Sequence, residues 1–225
     1  MHPSFWHDRW HSGQIGFHQA EVNPYLVRFW PQLQLTRGQR VFVPLCGKSR
    51  DMVWLAEQGH PIVGNEISPI AIREFFSAAG LTPSISDAGH LRRWTAAGYE
   101  LLEGDYFALS RSDLGRIDAV YDRAALIAMP SSLRPRYAAR LVELTPPEVP
   151  MLLVAMNYDE SRMSGPPFAV THAEVEALFE KTFVIELLHT EDALAANPRF
   201  RERGLERMEE SVWLLRRGRD AGARL

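Results

Sequence analysis

Only one cysteine, Cys46, stands in the 225 residues, so no internal disulfide can form and a reducing, cytoplasmic compartment is expected. Lysine is nearly absent too. Lys48 and Lys181 are the only two among 25 basic residues, and against 28 acidic ones they leave a formal net charge of −3. That balance gives no general electrostatic pull toward nucleic acid or an anionic membrane. Strictly apolar stretches such as Met151 to Met156 fall far short of the roughly 18 residues of a spanning helix. Residues 1–20 carry four histidines and two tryptophans where a secretory signal would place an apolar run, so no such signal is expected. Internal repeats and low-complexity segments are missing as well. With 46% hydrophobic and 24% charged residues, the chain can bury a core without disulfides or metals. One domain spanning 1–225 is expected, with 1–36 an aromatic, helical segment within it and no partner chain needed: a monomer acting on a small molecule.

From about residue 40 onward, short β-branched runs alternate with helical patterns, which predicts an α/β fold built on βαβ units. The first strand is Arg40 to Leu45, followed by the turn Cys46-Gly-Lys-Ser49 and a helix over Asp51 to Gln58 that Gly59 closes. A second strand, Pro61 to Asn65, ends in Glu66. Ser68 then reads as an N-cap with Pro69 in the first turn of a helix to Ala79. Residues 82–98, broken by Pro83, Gly89 and Gly98, read as an irregular insertion. Strands follow at Tyr99 to Phe107, Ile117 to Tyr121 and Met151 to Met156, with a helix over Leu133 to Leu144. A helix from Thr171, boxed by Glu174, runs to about Lys181, and Phe183 to His189 and Ser211 to Leu215 are placed as an antiparallel extension. Trp6 and Trp10, four apart, share one helix face, which either packs on the sheet or lies over its ligand end.

In an open α/β sheet, ligands bind beyond the carboxyl ends of the strands. Those ends offer Leu45-Cys-Gly-Lys-Ser49, Glu66, Asp105-Tyr106 and Asp122-Arg123. Glu66 lies about 20 residues past the first turn, the spacing at which an acidic side chain accepts hydrogen bonds from ribose hydroxyls. Asp105 is placed either to meet an adenine amino group or to cap a turn. A phosphate-binding loop is disfavoured, because Phe42 stands where its first glycine belongs. A dinucleotide fingerprint is incomplete for the same want of glycines, so a nucleoside cofactor without phosphates, such as S-adenosylmethionine, fits better. His7 and His11 stand four apart without a third ligand at metal spacing, and no metal is expected. His18 reads as a turn residue or a substrate contact, and Cys46 as a buried small hydrophobe ahead of a nucleophile. Arg123 either receives negative charge from a ligand or pairs internally with Asp122. Arg216-Arg-Gly-Arg219 reads as a solvated tail.

Phe5-Trp-His-Asp-Arg-Trp10, Gly16-Phe-His-Gln19, Val43-Pro-Leu-Cys-Gly-Lys48, Gly64-Asn-Glu66, Gly104-Asp105, Tyr121-Asp-Arg-Ala-Ala-Leu126 and Gly165-Pro-Pro-Phe168 occur in this order across nearly the whole chain. Together they resemble the thiopurine S-methyltransferase family, particularly its bacterial branch. The resemblance implies the class I methyltransferase fold, a mostly parallel seven-stranded sheet with helices on both faces, and S-adenosylmethionine as cofactor, released as S-adenosylhomocysteine. It implies cofactor contacts at Trp10, Leu45, Glu66, Asp105 or Tyr106, and Arg123. Phe17 and Arg199 correspond to acceptor contacts, with Arg123 shared between the two ligands. Methyl transfer to aromatic or heterocyclic thiols follows, and bacterial members are also linked to selenium and tellurium methylation. No strong general base is required, since a heteroaromatic thiol ionises near neutral pH, and no catalytic residue is singled out. The sequence departs from the family at Asn65, where a small residue is common, and in the residues after Arg217.

Overall fold

The computed structural model describes residues 3–217. The chain divides between Tyr121 and Asp122 into two compact units. The first opens with helix α1 (Pro3–His11) and helix α2 (Pro24–Phe29), the latter continued by a 3-10 turn Trp30–Leu33. Asn23 caps α2 by accepting from the Tyr25 N–H at 2.9 Å, and Pro24 supplies a preset φ where an N–H would be idle. Leu26, Phe29, Trp30 and Leu33 are buried, so this stretch is core and not a loose leader. The Asn23 N–H also donates to Asp51 Oδ1 at 2.8 Å while Tyr121 Oη donates to Oδ2 at 3.1 Å, fixing α2 to the helix whose first turn holds Asp51.

The βαβ succession then runs β1 (Val41–Val43), α3 (Arg50–Glu57), β2 (Ile62–Glu66) and α4 (Pro69–Ala78). After it come β3 (Ser84–Ala88), β4 (Leu91–Ala96), β5 (Tyr99–Glu103), the short helix α5 (Arg111–Leu114) and β6 (Ala119–Arg123), whose last two residues belong to the second unit. Strands β5, β2, β1 and β6 are parallel neighbours in that order, with Val41 opposite both Ile62 and Ala119. Every residue of β1 and β2 is buried, the pattern of parallel strands covered on both faces.

Residues 82–98 are not irregular. They form the β3–β4 hairpin, antiparallel to β5, around a turn in which Gly89 has φ +66°. The reason it escapes a pattern reading is that β3 is an exposed edge strand whose one large apolar residue, Ile85, faces solvent, and that β4 buries only Leu91 and Trp94, three apart. With this hairpin the described residues hold nine strands, two more than the seven expected. The strand from Tyr99 also stops early, at Glu103, because Asp105 starts a 3-10 turn, Tyr106–Ala108.

The second unit contains α6 (Ala125–Ala128), α7 (Arg134–Leu144), β7 (Met151–Asn157), α8 (His172–Phe179), β8 (Val184–Asp192), α9 (Pro198–Glu202) and β9 (Glu209–Arg216). Strand β9 pairs antiparallel with both β7 and β8, the expected antiparallel extension. Thr171 caps α8 through the Glu174 N–H, but the Glu174 carboxylate leaves the cap to engage the buried Arg134. Met156, Tyr158, Met163, Phe200, Leu205 and Met208 form a satellite core that holds the loops around α9. Arg217 donates to the Val142 carbonyl at 2.9 Å; Gly218, Arg219 and the rest of the tail lie outside the described residues.

Candidate active site

The carboxyl end of β1 turns sharply at Leu45, which adopts φ +46°, a left-handed conformation unusual for a leucine. The turn is held by the Cys46 N–H, which donates to the Asn65 carbonyl at 2.9 Å, and so lies against the end of β2. There Glu66 is 6% exposed, accepting from the Gly47 N–H at 2.9 Å through Oε2 and from the Ser68 N–H at 2.8 Å through Oε1. Burial pushes its pKa up to about 7, against the backbone N–H groups of Ser68, Gly47 and Ile67, which favour the charged form. Those bonds do not offset the cost of burying its charge, and any further donor to the charged form would lower the pKa again. Cys46 is a packing residue: a side chain at Gly64 would fall 2.7 Å from its sulfur, and burial, with Glu66 adding to it, raises its thiol pKa well above the ordinary value.

Trp10 covers this turn. A Cβ at Gly47 would stand 3.3 Å from Trp10 Cζ2, a tight approach, and the φ of +52° strains any side chain there, so both favour glycine under the indole. Trp6 and Trp10 do share a face, and both meet the Phe17 ring edge-on, at centroid distances of 5.7 and 5.6 Å. His18 ends the turn that begins at Ile15, to whose carbonyl its N–H donates. Asp105 takes the turn-capping role: it is exposed and its Oδ1 accepts from the Phe107 N–H at 3.0 Å. Tyr106 beside it is buried. Trp10, Phe17, Leu45, Glu66, Asp105 and Tyr106 thus all belong to the first unit, the first four around one turn.

Arg123 and Arg199 belong to the second. Asp122, fully buried, accepts from Tyr137 Oη at 2.7 Å and from the Leu126 N–H at 3.2 Å, so its two oxygens serve a tyrosine and the start of α6. Burial raises its pKa to about 6, against these hydrogen bonds. Arg123 is half-buried and precedes Ala124, whose φ of +89° turns the chain abruptly off β6. Arg199, on α9, has its guanidinium 4.7 Å over the Phe200 ring, and desolvation followed by the like charge of Arg123 lowers its pKa. The two arginines named from the sequence are therefore electrostatic neighbours.

Two functional candidates were missed. Asn65, wholly buried, donates from Nδ2 to the carbonyls of Leu102 and Gly104, both at 3.0 Å, and so ties the Glu66 strand to the one that leads into Asp105. Its departure from a small residue was the available signal. Lys48 pairs with Glu74 at 2.7 Å, a contact no local pattern announces. Among the described residues no group of three or more histidine, cysteine, aspartate or glutamate side chains is placed to hold a metal ion.

The family model described as thiopurine S-methyltransferase matches residues 1–218. A thiopurine S-methyltransferase of Nitrosospira multiformis is 49% identical over 215 residues, covering 96% of this chain and 98% of that one. One from Methylococcus capsulatus is 48% identical over 217 residues, with the same coverage of 96% and 98%. Among solved structures, an S-adenosylmethionine-dependent methyltransferase from Anabaena variabilis superposes with a TM-score of 0.64 at 14% identity, over 96% of this chain and 95% of that one. A Burkholderia thailandensis N1-methyltransferase holding S-adenosylhomocysteine gives 0.63 at 18% identity, over 96% and 86%. With its α/β strand-and-helix order and full-length match, the chain belongs to the thiopurine S-methyltransferase family and is an S-adenosylmethionine-dependent methyltransferase.

Proposed function

We propose that the acceptor is the sulfur of an aromatic or heterocyclic thiol, thiopurines included, and that the cofactor is held by Trp10, Leu45, Glu66, Asp105, Tyr106 and Arg123. The observation that carries the cofactor half is Glu66: a buried carboxylate at a strand end, held by backbone N–H groups alone, beside a turn whose glycine lets an indole approach. Ribose hydroxyls are donors of the kind it lacks. Leu45 stands in the turn that Glu66 holds, and Asp105 is exposed just past the end of β5, with Tyr106 buried next to it.

When bound, S-adenosylmethionine supplies an electrophilic sulfonium methyl, whose C–S bond breaks with the electron pair retained on the departing sulfur. The acceptor enters as a thiolate, its proton already lost to solvent, and its lone pair forms the new sulfur–carbon bond. The chain's task is then to bind, orient and exclude water. Trp6, Trp10 and Phe17 provide an aromatic surface suited to a heteroaromatic ring and to a neighbouring sulfonium. Arg123 and Arg199, always charged and planar, suit an anionic acceptor or the cofactor carboxylate.

The test is turnover with labelled S-adenosylmethionine against thiopurines, thiophenols, and selenium and tellurium compounds. Label should pass to the aromatic thiols and fall sharply in Arg123→Ala, with partial recovery in Arg123→Lys. Transfer only to selenium or tellurium acceptors, or cofactor binding without any transfer, would refute the thiol assignment.

A further inference from the structure

The lysine of the Cys46-Gly-Lys-Ser49 turn has no role in the reading above, yet its surroundings are specific. Lys48 Nζ lies 2.7 Å from Glu74 Oε2 on α4 and 5.8 Å from the centre of the Trp10 ring. Its side chain is 20% exposed, more enclosed than the Glu74 carboxylate at 46%. On the other side of the same turn, Gly47 touches the Trp10 indole and donates its N–H to Glu66. Helix α1, which carries Trp10, packs on α4, which carries Glu74. A cation thus stands between an aromatic ring on the amino-terminal segment and a carboxylate on the scaffold.

We propose that Lys48 is a positioning residue that clamps Trp10 over the Glu66 turn, by ion pairing to Glu74 and cation–π attraction to the indole. The proposal rests on the reading that Trp10 closes over the cofactor, and it adds what sets that closure. An ammonium attracted by both a ring face and a carboxylate lowers the freedom of each. Because the pair is partly exposed, added salt weakens it. Cofactor affinity thereby becomes sensitive to ionic strength. Lysine suits the place better than arginine, since a compact ammonium on a flexible stem reaches both partners from a tight turn.

The experiment is calorimetric titration of the full chain with S-adenosylhomocysteine at about 20 mM and about 0.5 M salt. The variants are Lys48→Met, Lys48→Arg, Glu74→Gln, Trp10→Ala and the double variant Lys48→Met with Trp10→Ala, each with its melting temperature. Lys48→Met and Glu74→Gln should weaken binding about 3 to 10-fold at low salt with melting temperatures near the parent's, and Lys48→Arg should recover part of the loss. High salt should bring the parent to the level of Lys48→Met and leave that variant unchanged. In the Trp10→Ala background, Lys48→Met should cost nothing more. A folded Lys48→Met that binds as tightly as the parent, while Trp10→Ala binds weakly, overturns the clamp and leaves the cover intact. Parent-like binding by Trp10→Ala itself overturns both. Losses that multiply in the double variant also overturn the clamp, because Lys48 would then act elsewhere.

Discussion

Glu66 and Asp122 are two buried carboxylates at the ends of two parallel strands, and they are held in opposite ways. Glu66 takes its hydrogen bonds from the backbone of a turn, at Gly47 and Ser68. Asp122 takes one from a tyrosine hydroxyl that is itself wholly buried, and another from the first turn of α6. Both pKa values are raised, to about 7 and about 6, with burial the leading cause in each. A raised pKa alone therefore does not separate the acid proposed to bind a ligand from an architectural one. The donors differ: Glu66 accepts from backbone N–H groups alone, which on the proposed reading leaves it to the ligand's hydroxyls, whereas the Tyr137 hydroxyl occupies Asp122 from inside the core.

The hardest test of that contrast removes the cover. Deleting residues 1–18 should abolish turnover while far-ultraviolet circular dichroism stays near that of the parent, because α1 buries only Trp10, whereas α2 and the turn after it bury Tyr25, Leu26, Phe29, Trp30 and Leu33. Full activity in the truncated chain would show that Trp10 and Phe17 are passive packing. Next in size, Glu66→Ala should lower affinity for S-adenosylhomocysteine by roughly 10 to 100-fold, since charge-assisted hydrogen bonds contribute about 1.5–3 kcal/mol each. Asp122→Asn should bind within about 3-fold of the parent. Comparable losses at both positions, read by calorimetry, would collapse the distinction.

A smaller effect concerns pH and stability. Both carboxyls have folded pKa values above their ordinary ones, so the protonated forms are the ones folding favours. Their stabilisation is complete below the unfolded values and is lost as pH rises, through about 6 for Asp122 and about 7 for Glu66. The unliganded protein should therefore lose on the order of 2–3 kcal/mol from Asp122 between pH 4 and pH 7. Asp122→Asn should flatten that part of the curve, and Tyr137→Phe should steepen the loss by removing a donor to the charged form. Urea unfolding at several pH values decides it; a parent-like slope in Asp122→Asn removes Asp122 as its source.

The smallest expected signal is a proton. If ribose hydroxyls donate to ionised Glu66, the cofactor lowers its pKa, and binding at pH 7 should release about half a proton. Titrations in two buffers of different ionisation enthalpy measure this directly. Equal heats in the two buffers would place the ligand's hydroxyls elsewhere.

The place of Glu66 at the end of β2 was legible because its signal is local: a strand run, an acid at its end and a fixed distance from the preceding turn. The same holds for the tryptophan pair, whose shared face needs only the helix period. The β3–β4 hairpin was not legible, since an exposed edge strand carries no alternation to read. The Glu174 box misled for a related reason, because a buried arginine 40 residues away competes for the same carboxylate.

Composition and periodicity were enough to establish an α/β chain, to place the parallel strands and to mark the strand ends where chemistry belongs, because each depends on neighbours within a few residues. Tertiary structure alone decided which donors each strand-end acid takes. The Asp122–Tyr137 bond, the hold of Asn65 on the end of β5 and the placing of Lys48 between Trp10 and Glu74 all join residues 15 or more apart. Contacts at such separations form only when the packed core brings distant elements together, and no local pattern encodes them.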